Sequence, residues 1–272
     1  MAYNKDSMQN VIVVALGVCL VCALVVSAAA IALKPQQTAN KHADRNKNIL
    51  VAAGLFKPGV TSTSQISDLF KKFTVKVVDL KEKRFLTDEE AKSLGIDPST
   101  YNQRAAARDP KMSRALTKQE DIASISRRAR YSVVYILKND DGSIDRIVLP
   151  IHGYGLWSTM YGFLALKGDL KTVAGLTFYE ESETAGLGGE VENPAWQNLW
   201  VGKRIYNEAH KVVLSVIKGN VDPKSPDADH QVDGISGATM TSRGVQHLIH
   251  YWLGEEGFGP LLANLKSNTG AA

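Results

Sequence analysis

An unbroken apolar segment near the N-terminus places the strongest constraint on how this chain can fold. Residues 11–33 contain no charged side chain and consist mainly of Val, Ala, Leu and Ile. A helix needs about 20 such residues to cross a hydrocarbon layer about 30 Å thick. The alternative is a cleaved secretory signal, because Ser27-Ala-Ala-Ala30 resembles a cleavage site. The run is longer than a signal core of roughly 7–15 residues. We therefore expect a retained single-pass helix after a short cytoplasmic N-terminus, residues 1–10.

Charge and cysteine content narrow the class of protein further. The formal net charge of +4 is modest, and Lys and Arg are spread among Asp and Glu, so no basic face indicates nucleic-acid binding. Cys19 and Cys22 both lie in the apolar segment, at positions i and i+3 of one helical face. This spacing suits packing against another helix. Two thiols are too few for a four-cysteine iron–sulfur cluster.

The charges that flank the apolar segment favour one orientation in a membrane. Before the segment there are only Lys5 and Asp6. By the positive-inside rule, the side with the basic residues is expected to stay in the cytoplasm. That side is the C-terminal one, which carries Lys34, Lys41, Arg45 and Lys47.

The region from residue 34 to residue 130 has a variable pattern. Residues 34–47 are polar and predict a short stalk or the first turns of a helix leaving the membrane. Residues 48–72 predict two short helices separated by a turn at Pro58 and Gly59, and residues 73–80 predict a strand. Residues 87–116 predict surface turns and short helices. We expect this region to form a stalk and a membrane-proximal α/β region.

Residues 131–265 give the clearest signals of a folded domain. The β-branched runs 131–137 and 144–149, joined by Asn139-Asp-Asp-Gly142, predict a hairpin. Residues 173–179 and 212–217 predict further strands, and a helix is expected to begin near Pro194. The sum is an α+β domain with a mixed, largely antiparallel sheet. No Gly-x-Gly-x-x-Gly follows a strand and opens a helix, so we expect no NADH site of the Rossmann type.

The segment Asp233-Gly-Ile-Ser-Gly-Ala-Thr239 is the most informative short motif. A helix is predicted directly after it, because four apolar residues follow with helical spacing: Val245, Leu248, Ile249 and Trp252. Thr239 would then lie at the N-terminus of this helix, where free N–H groups and the helix dipole favour a phosphate. Arg243, one turn on, would add a positive charge. The alternative is that Ser236 or Thr239 only caps the helix.

Two upstream segments are rich in glycine. The first is Gly153-Tyr-Gly-Leu-Trp-Ser158, and it is predicted to follow a strand. Its Tyr154 and Trp157 would either pack on a flat ring or be ordinary core aromatics. The second is Glu183-Thr-Ala-Gly-Leu-Gly-Gly-Glu190, whose N–H groups would be available to a ligand. On its own it is also consistent with a flexible loop.

Together the three segments resemble the covalent FMN-binding domain family, whose flavinylation motif is Asp-x-x-(Ser/Thr)-Gly-Ala-(Ser/Thr). Their order and spacing are similar to the C subunits of sodium-translocating NADH:quinone reductases, and the resemblance covers nearly the whole chain. It implies FMN esterified through its phosphate to Thr239 by a flavin transferase that reads Asp233 as part of its recognition sequence. An Asx turn at Asp233 before Ser236 would be compatible with this role. Ala185 stands where the family usually has Pro, which relaxes one backbone angle.

The resemblance also implies a role for the chain and a set of cofactor contacts. The role is that of an electron-carrying subunit, not catalytic alone, in a complex that exports sodium and contains other subunits. The flavin domain would lie on the periplasmic side of the bacterial inner membrane, against the positive-inside rule. No metal site is expected, since His247 and His250 lack further ligands. The implied contacts are Tyr154, Gly155, Leu156, Trp157, Glu183, Thr184, Leu187, Gly188, Asp233, Ser236, Gly237, Ala238 and Thr239.

Two other functions remain open at the level of sequence. One is the G-type flavoprotein of the related ferredoxin:NAD electron-transport complexes, which Gly155-Leu-Trp disfavours because that flavoprotein usually differs after Gly-Tyr-Gly. The other is a membrane-anchored FMN-binding redox sensor. A sensor is expected to carry a cytoplasmic output domain, for which ten residues before the apolar segment leave little room.

Overall fold

The computed structural model describes residues 7–56 and 61–269. The chain divides between Arg45 and Asn46 into two compact units. The helices are α1 (Met8–Ala52), α2 (Thr63–Phe70), α3 (Asp88–Ser93), α4 (Gln103–Arg108), α5 (Pro194–Asn198), α6 (Thr239–Leu253) and α7 (Gly259–Thr269), with 3-10 turns at Gly188–Glu192 and Ala228–His230. The strands are β1 (Phe73–Asp79), β2 (Arg84–Phe85), β3 (Ser113–Ala115), β4 (Arg127–Ala129), β5 (Tyr131–Lys138), β6 (Ile144–Tyr154), β7 (Thr159–Lys167), β8 (Val173–Glu180), β9 (Ser215–Val216) and β10 (Gln231–Val232).

The first unit consists of most of α1. Among the described residues, α1 is the one helix long and apolar enough to cross a membrane, by length and composition. Its apolar stretch is exposed throughout, as expected of side chains that face lipid rather than a protein core. The helix continues past Pro35 through the polar residues 34–47. Residues 34–47 are therefore helical and do not form an irregular stalk.

The second unit is built on a six-stranded sheet in the order β2-β1-β5-β6-β7-β8. Every neighbouring pair in it is antiparallel. Both faces of the sheet are covered, because alternate residues of β6 enter different cores: Leu149 packs in the cluster that contains α6, and Val148 packs in the cluster that contains Ile49 and Leu50. The predicted α+β domain with a largely antiparallel sheet is confirmed.

Several predicted elements are present with altered bounds. The hairpin of β5 and β6 forms as predicted, but β6 runs on to Tyr154, so Gly153 lies inside the strand instead of after it. Residues 212–217 provide only the two-residue strand β9 and an isolated bridge between Tyr206 and Val212. The first of the two short helices predicted in residues 48–72 is the last turn of α1. The turn predicted at Pro58 and Gly59 lies outside the described residues.

The predicted boundary between residues 130 and 131 does not divide this sheet. Strand β1 pairs with β5 along seven residues, from Phe73–Leu137 to Asp79–Tyr131. Residues on both sides of that boundary therefore belong to one sheet and share one core. The compact unit begins at Asn46 instead.

Strand β7 was not predicted, although it lies between β6 and β8 in the sheet. Residues that point to either face of this strand are mostly buried. For this reason apolar and polar residues do not alternate in the run Met160-Tyr-Gly-Phe-Leu-Ala-Leu166. Gly162 interrupts it for a reason of space, because a Cβ there would collide with the carbonyl oxygen of Thr177 on β8.

Candidate cofactor site

The three glycine-containing segments of the sequence meet at the end of β6, and the carboxylate of Glu183 joins them. This carboxylate accepts hydrogen bonds from five donor groups, of which three are consecutive backbone N–H groups. The N–H groups of Leu156, Trp157 and Ser158 donate over 3.1, 3.0 and 3.0 Å. The Ser158 hydroxyl donates over 3.3 Å, and the Thr241 hydroxyl on α6 donates over 2.7 Å. One acidic side chain thus connects residues 155–158 with α6.

Glu183 is held in its ionised form by these donors. Burial by itself raises the pKa of this carboxyl, since only 9 % of the residue is exposed. The hydrogen bonds from Thr241 and from the N–H groups of Trp157, Leu156 and Ser158 outweigh burial, and the pKa lies below its usual value. Within the described residues, donors of the protein itself therefore engage both oxygens of this carboxylate.

The segments approach so closely that side chains are excluded at their contacts. A Cβ on Gly155 would lie 2.6 Å from Glu183 Oε1, and one on Gly188 would lie 2.6 Å from the Thr241 hydroxyl oxygen. A Cβ on Gly244, in the second turn of α6, would lie 2.6 Å from the carbonyl oxygen of Tyr154. The absence of a Cβ at these glycines therefore allows the segments to pack this closely.

Helix α6 begins at Thr239, as predicted, and its apolar face is fully buried. The N-cap residue is Ala238, and among the described residues neither Ser236 nor Thr239 caps the helix with its side chain. The capping alternative is therefore wrong. Thr239 is exposed, whereas Thr241 is 1 % exposed and donates its hydroxyl to Glu183. The two threonines of this turn differ completely in accessibility.

Asp233 does not form the Asx turn that the sequence allows. Its carboxylate accepts from the N–H of Val221 over 2.8 Å, and its carbonyl accepts from Trp196 Nε1 over 2.9 Å. Asp233 therefore fastens the motif to residue 221 and to α5. The sharp bend follows at Gly237, whose φ of +72° favours glycine. The nearest atom to a Cβ there would be Leu187 Cδ2, at 2.9 Å.

Several large apolar side chains of the three segments and of α6 are exposed. Tyr154 and Trp157 are 43 % and 65 % exposed, so the alternative that they are core aromatics is wrong. The Tyr154 hydroxyl donates to the carbonyl oxygen of Trp157 over 3.0 Å, which ties the two ends of their loop. The other large apolar side chains that the three segments and α6 expose are those of Leu156, Leu187 and Met240.

The loop 184–189 has an internal framework of its own. The carbonyl oxygen of Thr184 accepts from the N–H groups of Leu187 and Gly189, both over 3.0 Å. Thr184 and Ala185 are both exposed. Sequence reasoning did not identify Thr241 or Gly244, since a buried threonine and a helical glycine carry no signal before their partners are known.

Across the described part of the chain, no group of three or more His, Cys, Asp or Glu side chains is arranged to hold a metal ion. His250, one of the two histidines weighed as ligands, instead has its Nε2 2.7 Å from the carbonyl oxygen of Leu214.

The sequence of the second unit matches FMN-binding domains. The model of the family described as "FMN-binding domain" matches residues 155–254. This range contains the second and third segments, and all of the first except Gly153 and Tyr154. In fold, the crystal structure of Shewanella oneidensis NqrC is similar, with a TM-score of 0.75 and 33 % identity, covering 84 % of this chain and 99 % of that one.

Whole-length relatives identify the branch of this class. The chain is 51 % identical over 264 residues to the C subunit of the Na(+)-translocating NADH-quinone reductase of Pseudomonas aeruginosa, covering 97 % of this chain and 98 % of the relative. It is 44 % identical to the corresponding protein of Vibrio alginolyticus, covering 98 % of each. The chain belongs to the family of C subunits of the Na(+)-translocating NADH-quinone reductase, which confirms the resemblance read from its motifs.

Proposed function

We propose that this chain is an electron-carrying subunit that holds FMN as a phosphoester on Thr239 within a Na(+)-translocating NADH-quinone reductase. Its electron transfer would be coupled to sodium export by the other subunits of the complex. One observation carries the proposal: the exposed Thr239 stands at the N-terminus of α6, and the first turn of this helix is joined through Glu183 to the loop that carries the exposed Leu156 and Trp157. Maturation then needs a flavin transferase that recognises the segment from Asp233 to Thr239.

The start of α6 suits a phosphate on chemical grounds. Within the described residues, no backbone carbonyl accepts from the N–H groups of Thr239 or Met240, so these donors are available to an anion. The helix dipole adds partial positive charge at the same place. Arg243 is exposed one turn further along and contributes a full positive charge.

The surface beside Thr239 suits a flat aromatic ring. Tyr154, Leu156, Trp157 and Leu187 are each more than 40 % exposed, and they belong to the segments 153–158 and 183–190, which the Glu183 carboxylate joins. They would cover the ring and limit its contact with water. FMN supplies the electron-transfer chemistry when bound, and the residues of this chain supply tethering, orientation and electrostatic tuning.

The choice of Thr239 over Thr241 is tested by paired variants. The full chain is expressed with a flavin transferase, denatured, and examined for flavin fluorescence in the gel, and the labelled peptide is mapped by mass. Thr239→Ala should abolish fluorescence, because the accessible hydroxyl is lost. Thr241→Ala should keep it, since that hydroxyl is buried against Glu183. Fluorescence in both variants would refute covalent attachment in this motif.

The relay role requires a test in the assembled complex. In a Thr239→Ala complex, NADH-driven quinone reduction and sodium transport should be lost, while NADH oxidation by artificial acceptors at an upstream site of the complex should largely remain. A gel checks that every component of the complex is present. Equal loss of both activities would indicate a role in assembly, and retention of both would show that the group on Thr239 is dispensable.

The proposal places α1 as an uncleaved anchor in the bacterial inner membrane, with the flavin domain on the periplasmic side. Large domains cross membranes despite flanking charge, so the basic residues after position 33 do not forbid this orientation. A reporter that works only in the periplasm should be active when fused to the C-terminus. Activity of a cytoplasmic reporter alone would reverse the orientation in favour of the positive-inside rule.

A further inference from the structure

The loop 155–158 depends on Glu183 for its backbone hydrogen bonds. The loop closes on itself through a bond from the N–H of Gly155 to the carbonyl oxygen of Ser158, 2.8 Å long. The N–H groups of Leu156, Trp157 and Ser158 all point to the carboxylate, and within the described residues they have no other acceptor. Glu183 thus accepts the backbone hydrogen bonds that, in a sheet, the carbonyl groups of a neighbouring strand would accept.

The same carboxylate fixes the loop to α6. The Thr241 hydroxyl donates to Glu183 Oε2 over 2.7 Å, and both side chains are buried. The missing Cβ atoms of Gly155 and Gly188 leave space for this contact. The loop and the helix are therefore linked through one charged group, and charge-assisted hydrogen bonds are stronger than neutral ones.

The position of this link determines which side chains stand beside the start of α6. Leu156 and Trp157 belong to the loop, and both are well exposed although their N–H groups are held from beneath. We propose that Glu183 is a positioning residue that holds Leu156 and Trp157 beside the start of α6 and so shapes the surface that receives the flavin ring. The fixing of the loop is independent of any ligand, whereas the effect on the ring rests on the proposed function.

Glutamine is the informative replacement, because it keeps the size of the side chain and changes its hydrogen bonding. A carboxylate has two acceptor oxygens, whereas the Gln amide has one acceptor and an NH2 group that only donates. In Glu183→Gln the NH2 group at the Oε2 position would face the Leu156 N–H group and the Thr241 hydroxyl, so the Leu156 N–H group keeps only its 3.2 Å bond to the remaining oxygen. The negative charge that strengthens every bond to the loop is also lost, and the loop is expected to open locally more often.

Hydrogen exchange of the full chain in detergent, without flavin, tests the fixing of the loop. In Glu183→Gln, the amides of residues 156–158 should exchange about tenfold faster or more, while those of β5 and β7 stay unchanged. The matched control is Glu190→Gln, since Glu190 lies in the same loop region and its carboxylate accepts from Asn193 over 2.6 Å, away from residues 155–158. Unchanged exchange at residues 156–158 would overturn the proposal, and faster exchange throughout the sheet would show a merely structural role.

A second pair of variants keeps the proposal testable if Glu183→Gln does not fold. Thr241→Val removes the hydroxyl that binds Glu183 and keeps the shape of the side chain, whereas Thr241→Ser keeps the hydroxyl. Exchange at residues 156–158 should rise in Thr241→Val and remain near the wild-type rate in Thr241→Ser. Equal rates in the two variants would overturn the link between the loop and α6.

The effect on the ring is measured after loading by a flavin transferase, at equal flavin content judged on a denaturing gel. Fluorescence of the attached flavin should be quenched by iodide more readily in Glu183→Gln than in Glu190→Gln or the wild type, because the loop no longer covers the ring. Equal quenching would overturn the positioning of the ring. Absence of flavin from the wild type would instead refute the proposed function and leave the exchange result standing.

Discussion

His152 should make the stability of the folded unit depend on pH between 7 and 5. Its ring stacks on Tyr161 with centroids 5.4 Å apart, and Trp252 lies 4.8 Å away. The Arg104 guanidinium lies over the Tyr161 ring at 3.3 Å. The pKa of His152 is lowered to about 4, mainly by burial and secondly by the positive charge of Arg104.

The sign and size follow from proton linkage. An unfolded histidine has a pKa of about 6.5, so between about pH 6.5 and 4 the unfolded chain binds more protons than the folded one. Stability is complete above that window and is lost as the pH falls through it. The free energy of unfolding should drop by about 2 kcal/mol between pH 7 and 5, and by about 3 kcal/mol at pH 4. These are upper values, because part of the side chain reaches solvent.

Urea unfolding followed by tryptophan fluorescence measures this loss. All four tryptophans lie beyond residue 46, so the signal reports the unit that contains the sheet. His152→Phe should fit between the same rings and remove most of the loss between pH 7 and 5. The control His210→Asn replaces an exposed histidine, so its free energy of unfolding should drop between pH 7 and 5 as much as that of the wild type. If His152→Phe loses as much stability at pH 5 as the wild type, the assignment to His152 is refuted.

Three further substitutions test close contacts. Gly244→Ala brings a Cβ to 2.6 Å from backbone at the end of β6, so it should lower the free energy of unfolding by about 1–3 kcal/mol and reduce flavin attachment on the gel. Gly175→Ala on β8 would meet the carbonyl oxygen of Ala52 and should cost a similar amount, about 1–3 kcal/mol in urea. Asp79→Asn removes the buried charge that accepts from Arg130 over 2.8 and 3.0 Å, and should cost about 2 kcal/mol at pH 7 in the same assay. An unfolding midpoint equal to the wild type in any of the three would contradict the contact concerned.

Local patterns in the sequence predicted the parts of the fold that local physics determines. The hairpin of β5 and β6 followed from β-branched runs around an Asx/Gly turn, and α6 followed from apolar spacing after a glycine-containing motif. The position of Thr239 at a helix start followed from the same spacing. These elements carry their signals within short stretches of neighbouring residues.

Features that depend on distant partners were not predictable in this way. Strand β7 is buried on both faces, so it lacks the alternation that marks a half-exposed strand. The partner of Asp233 is Val221, and the partner of Glu183 is Thr241, 58 residues along the chain. No local pattern indicates such pairs, and the resemblance to a family gave Glu183 a place in the site without its partners.

The glycines at the contacts of the site restrict how this sequence can change over evolution. A side chain at residue 155 would collide with the side chain of Glu183, which a second substitution at Glu183 could shorten. A side chain at residue 244 would collide with the carbonyl oxygen of Tyr154, and no side-chain substitution removes a backbone atom. Gly155 is therefore open to paired replacement, whereas Gly244 can change only if α6 moves away from β6 and carries Thr239 with it.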